Sequence, residues 1–159
     1  MSFLPRFDLP KPAGRVGVLV DADSMPLAAV SQILATAHGL GDLMVRRAYG
    51  SGARVQDWAE APGFRVIRAG GGRQATALLM GTEAMALMLT GKADSLVIAS
   101  VARDFATVVA ALRERGHSVV GMGLETSPLS FRQACRDFVD LVPVRRVRMV
   151  RVVAQGVTA

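Results

Sequence analysis

The stretch LVIASVARDF, residues 96–105, decides the fold class of this chain. Residues 96–100 have the near-continuous apolar composition of a strand that is buried on both faces of a parallel sheet. A helical pattern begins directly afterwards, near residue 104. Asp104 therefore follows a strand end and opens a helix, a place where carboxylates often hold a metal ion or a proton.

The same alternation of strand and helix runs through the whole chain. The apolar patterns predict strands at residues 15–21, 42–50, 64–72, 94–100, 118–123 and 137–144. They predict helices at residues 25–41, 73–91, 104–116 and 127–135, with a short helix or irregular link at 53–63. Ser127 is placed to cap the last helix. This order predicts an α/β fold, a three-layer αβα sandwich around a mainly parallel, Rossmann-like sheet.

Length and composition favour one domain that follows a Pro-rich leader. A chain of 159 residues suggests a single domain, with a Pro-rich leader at 1–14, the domain at 15–141 and an Arg/Val-rich tail at 142–159. No apolar run is long enough for a membrane span or a signal peptide. Cys135 is the single cysteine, so no internal disulfide can form. We therefore expect a cytoplasmic protein without a membrane partner.

The charge of the chain favours an anionic partner. The formal net charge is +6, and nearly all of the basic residues are arginines. Such a balance is typical of nucleic-acid binding. An arginine-rich composition also arises without any such function, so charge alone leaves both interpretations open.

The predicted fold places a candidate site at one edge of the sheet. Open parallel sheets bind ligands at the carboxyl ends of their strands, where the strand order reverses, and strands one and four flank that point in the order 3-2-1-4-5. Asp21, Asp23 and Ser24 follow the first strand, and Ser100 and Asp104 follow the fourth. We expect Asp21 and Asp104 to converge and to offer ligands for Mg²⁺ or Mn²⁺. The alternative for Asp21 and Asp23 is to cap the next helix.

Glu83 is a third acid of interest. It is the only charged residue between Gln74 and Thr90, on a mostly apolar helix, and a buried carboxylate needs a partner. That partner is either an arginine, with Arg68 and Arg73 nearest in sequence, or the same metal ion. Other chemistries lack their residues: the chain has no Cys/His cluster for zinc and no Ser/His/Asp set.

Three stretches of the chain resemble the NYN domain, a PIN-like metal-dependent ribonuclease fold. They are LVDADS at 19–24, residues 73–105, and residues 111–141, of which TSPLSFRQACRDFV is the most specific part. The nearest branch is the bacterial one that is often joined to a LOTUS (OST-HTH) domain. The resemblance covers about residues 15 to 141.

The resemblance implies which acids form the site and shows that two of them are replaced. Asp21 and Asp23 match the first motif of the family, with Ser24 at the usual asparagine position. The strand-four motif is usually S-D-S-D-F; here Asp104 is kept and Ala102 stands at the other aspartate.

The long helix departs from the family in the same way. Arg73 stands for a lysine, Ala77 for an aspartate and Glu83 for a second aspartate. Losing carboxylates at Ala77 and Ala102 weakens cation binding, so the site holds one Mg²⁺ or Mn²⁺ ion at most. Arg103 adds positive charge next to the missing acid, which favours phosphate over metal.

Several functions remain open on these residues. The first is binding of single-stranded RNA with weak or no cleavage, for which the candidate residues are Arg46, Arg47, Arg68, Arg73 and Arg103. The second is an active Mg²⁺/Mn²⁺-dependent endoribonuclease that uses Asp21, Asp104 and Glu83, supported by Asp23, Ser24 and Ser100. The third is a pseudoenzyme that binds a protein partner. Separately, the tail either adds a strand to a second copy through an exposed sheet edge, which would give a homodimer, or lies along RNA. A haloacid-dehalogenase-type phosphatase starting from Asp21 and Asp23 is the weakest, because the later acid pair is absent.

Overall fold

The computed structural model describes residues 14–143. The predictions for the leader before Gly14 and for the tail beyond Pro143 lie outside these residues.

A six-stranded sheet, parallel throughout, forms the centre of the domain. Its strands are β1 Gly14–Asp21, β2 Gly41–Gly50, β3 Arg65–Arg68, β4 Ser95–Ala99, β5 Ser118–Gly123 and β6 Asp137–Asp140. The strand order is β3-β2-β1-β4-β5-β6. The predicted order 3-2-1-4-5 is therefore confirmed, and β6 extends the sheet at the β5 edge. The order reverses between β1 and β4, so the carboxyl ends of these two strands define the edge of interest.

Four helices connect the strands. They are α1 Val30–His38, α2 Gly72–Leu89, α3 Phe105–Glu114 and α4 Leu129–Ala134. Two 3₁₀ segments, Leu27–Ala29 and Ala53–Glu60, precede α1 and follow β2. Within residues 14–143, no helix has both the length and the apolar character needed to cross a lipid bilayer.

The prediction that Ser127 caps α4 is wrong. Pro128 is the residue at the N-cap position, and no side chain caps the helix there. The Ser127 hydroxyl instead accepts a hydrogen bond from the Leu124 amide at 3.1 Å and donates one to the Ser100 carbonyl at 3.1 Å. Ser127 thus joins the turn after β5 to the end of β4, at the edge where the site was expected.

Apolar side chains cover both faces of the sheet. Val16, Val18 and Val20 point to one face, where they pack with α1 and with Trp58. Leu19 and the alternate residues of β4 point to the other face, beneath α2 and α3. This alternation is the period of two expected of strands. The arrangement confirms the α/β three-layer fold. Because both faces of the sheet are apolar, the polar side chains of the candidate site lie at the strand ends.

Candidate functional site

Asp21 lies at the switch point of the sheet, and Ser100 is its neighbour there. β1 and β4 run side by side up to the pair Val20 and Ala99, so Asp21 and Ser100 meet just beyond it. One carboxylate oxygen of Asp21 accepts hydrogen bonds from the hydroxyls of Ser100 at 2.7 Å and Ser24 at 3.0 Å. The other oxygen accepts one from the Asp23 amide at 3.1 Å. Both oxygens are therefore already bonded within the protein.

Burial sets the electrostatics of Asp21. The residue is only 6% exposed, and its desolvation raises the pKa of the carboxyl group above its usual range. The hydrogen bonds from Ser100, Ser24 and the Asp23 amide act in the opposite direction and offset part of that rise. Asp21 is thus a buried acid held by hydroxyl and amide donors.

Asp23 connects the loop after β1 to the turn after β2 and to the start of α2 through hydrogen bonds. Its carboxylate accepts hydrogen bonds from the amides of Ser51 and Gly52, both at 3.0 Å, and from the Thr76 hydroxyl at 2.8 Å. These donors come from the turn after β2 and from the first turns of α2. The prediction that Asp23 caps the next helix is wrong, because Ala29 is the N-cap of α1.

Ser51 and Thr76 are site residues that sequence reasoning missed. Their hydroxyls lie 2.8 Å apart and share a hydrogen bond. Ser51 follows the end of β2, and that position at a strand end is the signal by which it could have been found. Thr76 has no comparable signal, because its role depends on where α2 sits over the sheet.

Asp104 lies in a different setting from Asp21. It stands at the N-cap position of α3 without a capping bond from its side chain, it is exposed, and its carboxylate accepts no hydrogen bond from any residue within 14–143. It borders a groove between α2 and α3 that Asp21 does not line. The partner of Asp21 from the end of β4 is thus Ser100 rather than Asp104.

Glu83 pairs with an arginine. One of its oxygens accepts a hydrogen bond from Arg47 at 3.3 Å, and both side chains are about one-quarter exposed. The other oxygen is buried and, like the hydroxyl of the fully buried Tyr49, has no hydrogen-bond partner among the described residues. Burial, and after it the nearby Glu83 carboxylate, raises the pKa of Tyr49. The prediction of Arg68 or Arg73 as the partner is wrong, since the arginine comes from β2.

The described residues do not assemble the three-acid ligand set that was predicted for a divalent cation. Across the described part of the chain, no three aspartate, glutamate, histidine or cysteine side chains stand close enough to hold one ion. Ala77 is buried in the apolar cluster beneath α2, and Ala102 packs against the same cluster. The expected ligand set of Asp21, Asp104 and Glu83 is thus not assembled, because each carboxylate has a different environment.

An arginine-lined cleft lies beside Asp23. It has a volume of about 510 Å³ and is bordered by Arg54, Arg73 and the glycine turn at residues 70–72. Gly71 and Gly72 adopt positive φ values of 99° and 84°, which side chains rarely tolerate. A Cβ at Gly72 would meet no atom within 4 Å, so the turn opens onto the cleft. Arg54 is a further residue that sequence reasoning missed.

The other predicted arginines are spread over the domain. Arg68 is exposed and donates to the Gln56 side chain at 2.9 Å, and Arg103 is exposed beside Asp104. Arg46 donates to the Pro62 carbonyl at 3.1 Å. Arg47 lies on the opposite face of β2, paired with Glu83, which agrees with the expectation that neighbours in a strand face opposite sides. Of the five predicted arginines, Arg73 is the one that lines the cleft.

Comparison with known proteins identifies the family. A scan against protein families matches the NYN domain over residues 15–142. A search of the curated proteins finds no match. The matched region spans all six strands, and the parallel sheet with helices between its strands is consistent with the PIN-like ribonuclease fold. NYN nucleases generally depend on a metal ion, and the family suggests a role related to RNA. The chain belongs to the NYN domain family.

Proposed function

We propose that this protein binds single-stranded RNA and cleaves it weakly or not at all. One observation carries the proposal: the oxygens of Asp21 and Asp23 accept internal hydrogen bonds beside a cleft lined by Arg54 and Arg73. The family match supports a role in RNA metabolism, and the net charge of +6 supports an anionic partner.

The acids argue against efficient metal-dependent cleavage. A catalytic Mg²⁺ or Mn²⁺ ion binds water and phosphate oxygens while carboxylates of the protein hold it in place. Here the Asp21 oxygens already accept bonds from Ser24, Ser100 and the Asp23 amide, and a cation there would gain no second carboxylate from Ala77 or Ala102.

The cleft argues for phosphate binding. Arg54 and Arg73 are exposed at its rim, and their guanidinium groups suit the oxygens of a phosphodiester. The open glycine turn allows a backbone to approach closely, since no side chain projects from residues 70–72. We therefore place the RNA backbone along this cleft, at the carboxyl edge of the sheet.

Binding and cleavage are tested separately with the full-length protein. Fluorescence anisotropy of a labelled single-stranded RNA, recorded in EDTA over a series of salt concentrations, should show binding that weakens steeply with salt. A flat salt response, or no binding, would overturn the proposal.

The cleavage test uses Mn²⁺ and a paired variant. The wild type and an Asp21→Asn/Asp104→Asn variant should leave the RNA equally intact, because neither holds an assembled ion site. Mn²⁺-dependent cleavage by the wild type that the double variant lacks would establish the active endoribonuclease instead.

A further inference from the structure

We propose that the groove between α2 and α3 is a base-binding subsite of this protein, and that Asp104 makes it selective for guanine. The inference rests on the proposed RNA-binding function and specifies which base that function would recognise.

The groove has the form and lining that a nucleobase requires. Its volume is about 490 Å³, and Leu78, Met85 and Val108 provide apolar contacts from both helices. Leu78 is 74% exposed, so its apolar side chain is open to a ligand. A planar base can lie against such a side chain, and the Met85 thioether favours contact with π systems.

A glycine brings the two helices together to form the floor of the groove. Gly81 lies inside α2 and is buried, and a Cβ at this position would sit 2.9 Å from a methyl group of Val108. The missing side chain therefore lets α3 approach α2 closely. Leu78 of α2 and Thr107 of α3 also line the groove.

Asp104 provides the hydrogen-bonding specificity. An ionised carboxylate only accepts hydrogen bonds, and it has two oxygens side by side. Asp104 is exposed, lines the groove, and has no hydrogen-bonding partner in the part of the chain that the structure describes. Both of its oxygens are therefore available to a ligand in the groove.

Guanine is the base that matches two adjacent acceptors. Its Watson–Crick edge presents the N1–H and the exocyclic N2 amino group next to each other. Adenine and cytosine each place a ring acceptor beside their single amino group, and uracil flanks its N3–H with two carbonyls. A carboxylate would meet an acceptor in each of these three, and charge-assisted paired bonds form with guanine alone.

The groove and the arginine-lined cleft both border the first turns of α2. Arg73 borders the cleft, while Gln74 and Ala77 border the groove, and all three lie in the first turns of α2. Four residues of helix rise by about 6 Å, a distance that one nucleotide spans. A strand whose phosphate contacts Arg73 can thus place its base against Leu78 and Asp104.

Three RNAs that differ in one functional group test the subsite. We would measure binding of the full chain, in EDTA, to short unstructured strands of alternating adenine and guanine, of alternating adenine and inosine, and of adenine alone. Inosine differs from guanosine only in lacking the N2 amino group. We expect the guanine RNA to bind about tenfold more tightly than the adenine RNA, the usual scale for one bidentate base contact. The inosine RNA should fall between the two.

Two variants assign the preference to Asp104. Asp104→Asn replaces one acceptor by a donor and should abolish the preference for guanine. Asp137→Asn is the matched control, because Asp137 is an exposed aspartate on β6 and its replacement changes the net charge equally. That variant should keep the preference. Leu78→Ser should weaken binding of all three RNAs, and the fold should tolerate it because Leu78 is exposed.

The outcomes separate the subsite from the RNA-binding function. Equal affinity for the three RNAs, or a guanine preference that survives Asp104→Asn, would overturn the base subsite and leave RNA binding in place. Absence of binding to every RNA would overturn the proposed function itself, and the subsite with it.

Discussion

Asp21 was predicted to be a metal ligand, and the structure surrounds its carboxylate with internal hydrogen-bond donors. Its two oxygens accept three hydrogen bonds, and one donor is Ser100, the residue directly after the neighbouring strand β4. These bonds compensate only part of the cost of burying a charge, since desolvation remains the largest influence on its pKa. Asp21 should therefore cost the fold stability whenever it is ionised.

That cost predicts a pH-dependent effect of Asp21→Asn. Because the pKa of Asp21 is raised in the folded state, its contribution to stability is fully present below the ordinary pKa of 3.8 and is lost as the pH rises through the folded value. The asparagine variant should thus be more stable than the wild type at neutral pH, and this advantage should vanish as the pH falls toward 3.8. Urea unfolding at several pH values measures the difference. A variant that is less stable at neutral pH would show that the hydrogen bonds outweigh desolvation.

The ion pair beneath α2 gives a second prediction at this scale. Arg47→Met keeps much of the apolar stem of the side chain but leaves the Glu83 carboxylate without its cation. We expect a loss of about 1–2 kcal/mol, because the pair is mostly but not fully buried. In the variant that also carries Glu83→Gln, part of this loss should be recovered, since no uncompensated charge remains. Strictly additive losses in the double-mutant cycle would contradict a direct coupling.

At the scale of elements, the sequence predicted the strands far better than it predicted which side chains contact one another. Apolar runs such as residues 96–99 have few alternatives to a buried strand, and their alternation with helices favours one sheet order. Partnerships depend on how elements are positioned over one another. Thr76 meets Asp23 only because α2 starts above the end of β1, and nothing in the local sequence of either residue encodes that meeting.

The acids show the same limit within the site. The strand order correctly predicted that Asp21 lies at the switch point of the sheet. The residue that follows β4 and faces Asp21 is Ser100, however. Residues 101–103 carry the chain away from the strand end, so Asp104 reaches the groove between α2 and α3 instead. The spacing of acids along the sequence therefore predicted one shared site for carboxylates that lie in different parts of the structure.

The end of β5 provides a prediction for a single element. A Cβ at Gly123 would overlap the Ser127 hydroxyl and lie 2.8 Å from the Ser100 carbonyl oxygen, which belongs to the backbone and cannot move easily. Gly123→Ala should therefore lower the free energy of unfolding by about 1–3 kcal/mol, the usual effect of overpacking. Gly70→Ala is the control, because a Cβ there meets nothing within 4 Å. Equal stability of the two variants in urea would contradict the close packing of this turn.

At the scale of the whole molecule, arginines are spread over the domain, whereas Arg54 and Arg73 lie together at the cleft. Arg54→Gln/Arg73→Gln should lower RNA affinity and reduce the slope of log affinity against log salt by about 0.7 for each phosphate that is no longer neutralised. Arg115→Gln removes one charge from an exposed arginine at the end of α3 and should change the slope far less. Anisotropy titrations compare the two. An equal loss of slope for each arginine removed in the two variants would mean that RNA binds through diffuse charge rather than along the cleft.

The central position of β1 has a consequence for how the protein is made. β1 is the first strand of the described chain, yet it pairs with β4, so that Val16 meets Ser95. On the ribosome, β1 to β3 emerge first, and one edge of β1 stays without its partner until β4 has been synthesised. At roughly 5–20 residues per second, that wait lasts on the order of ten seconds. During translation the nascent chain thus exposes an apolar strand edge that a chaperone would need to shield.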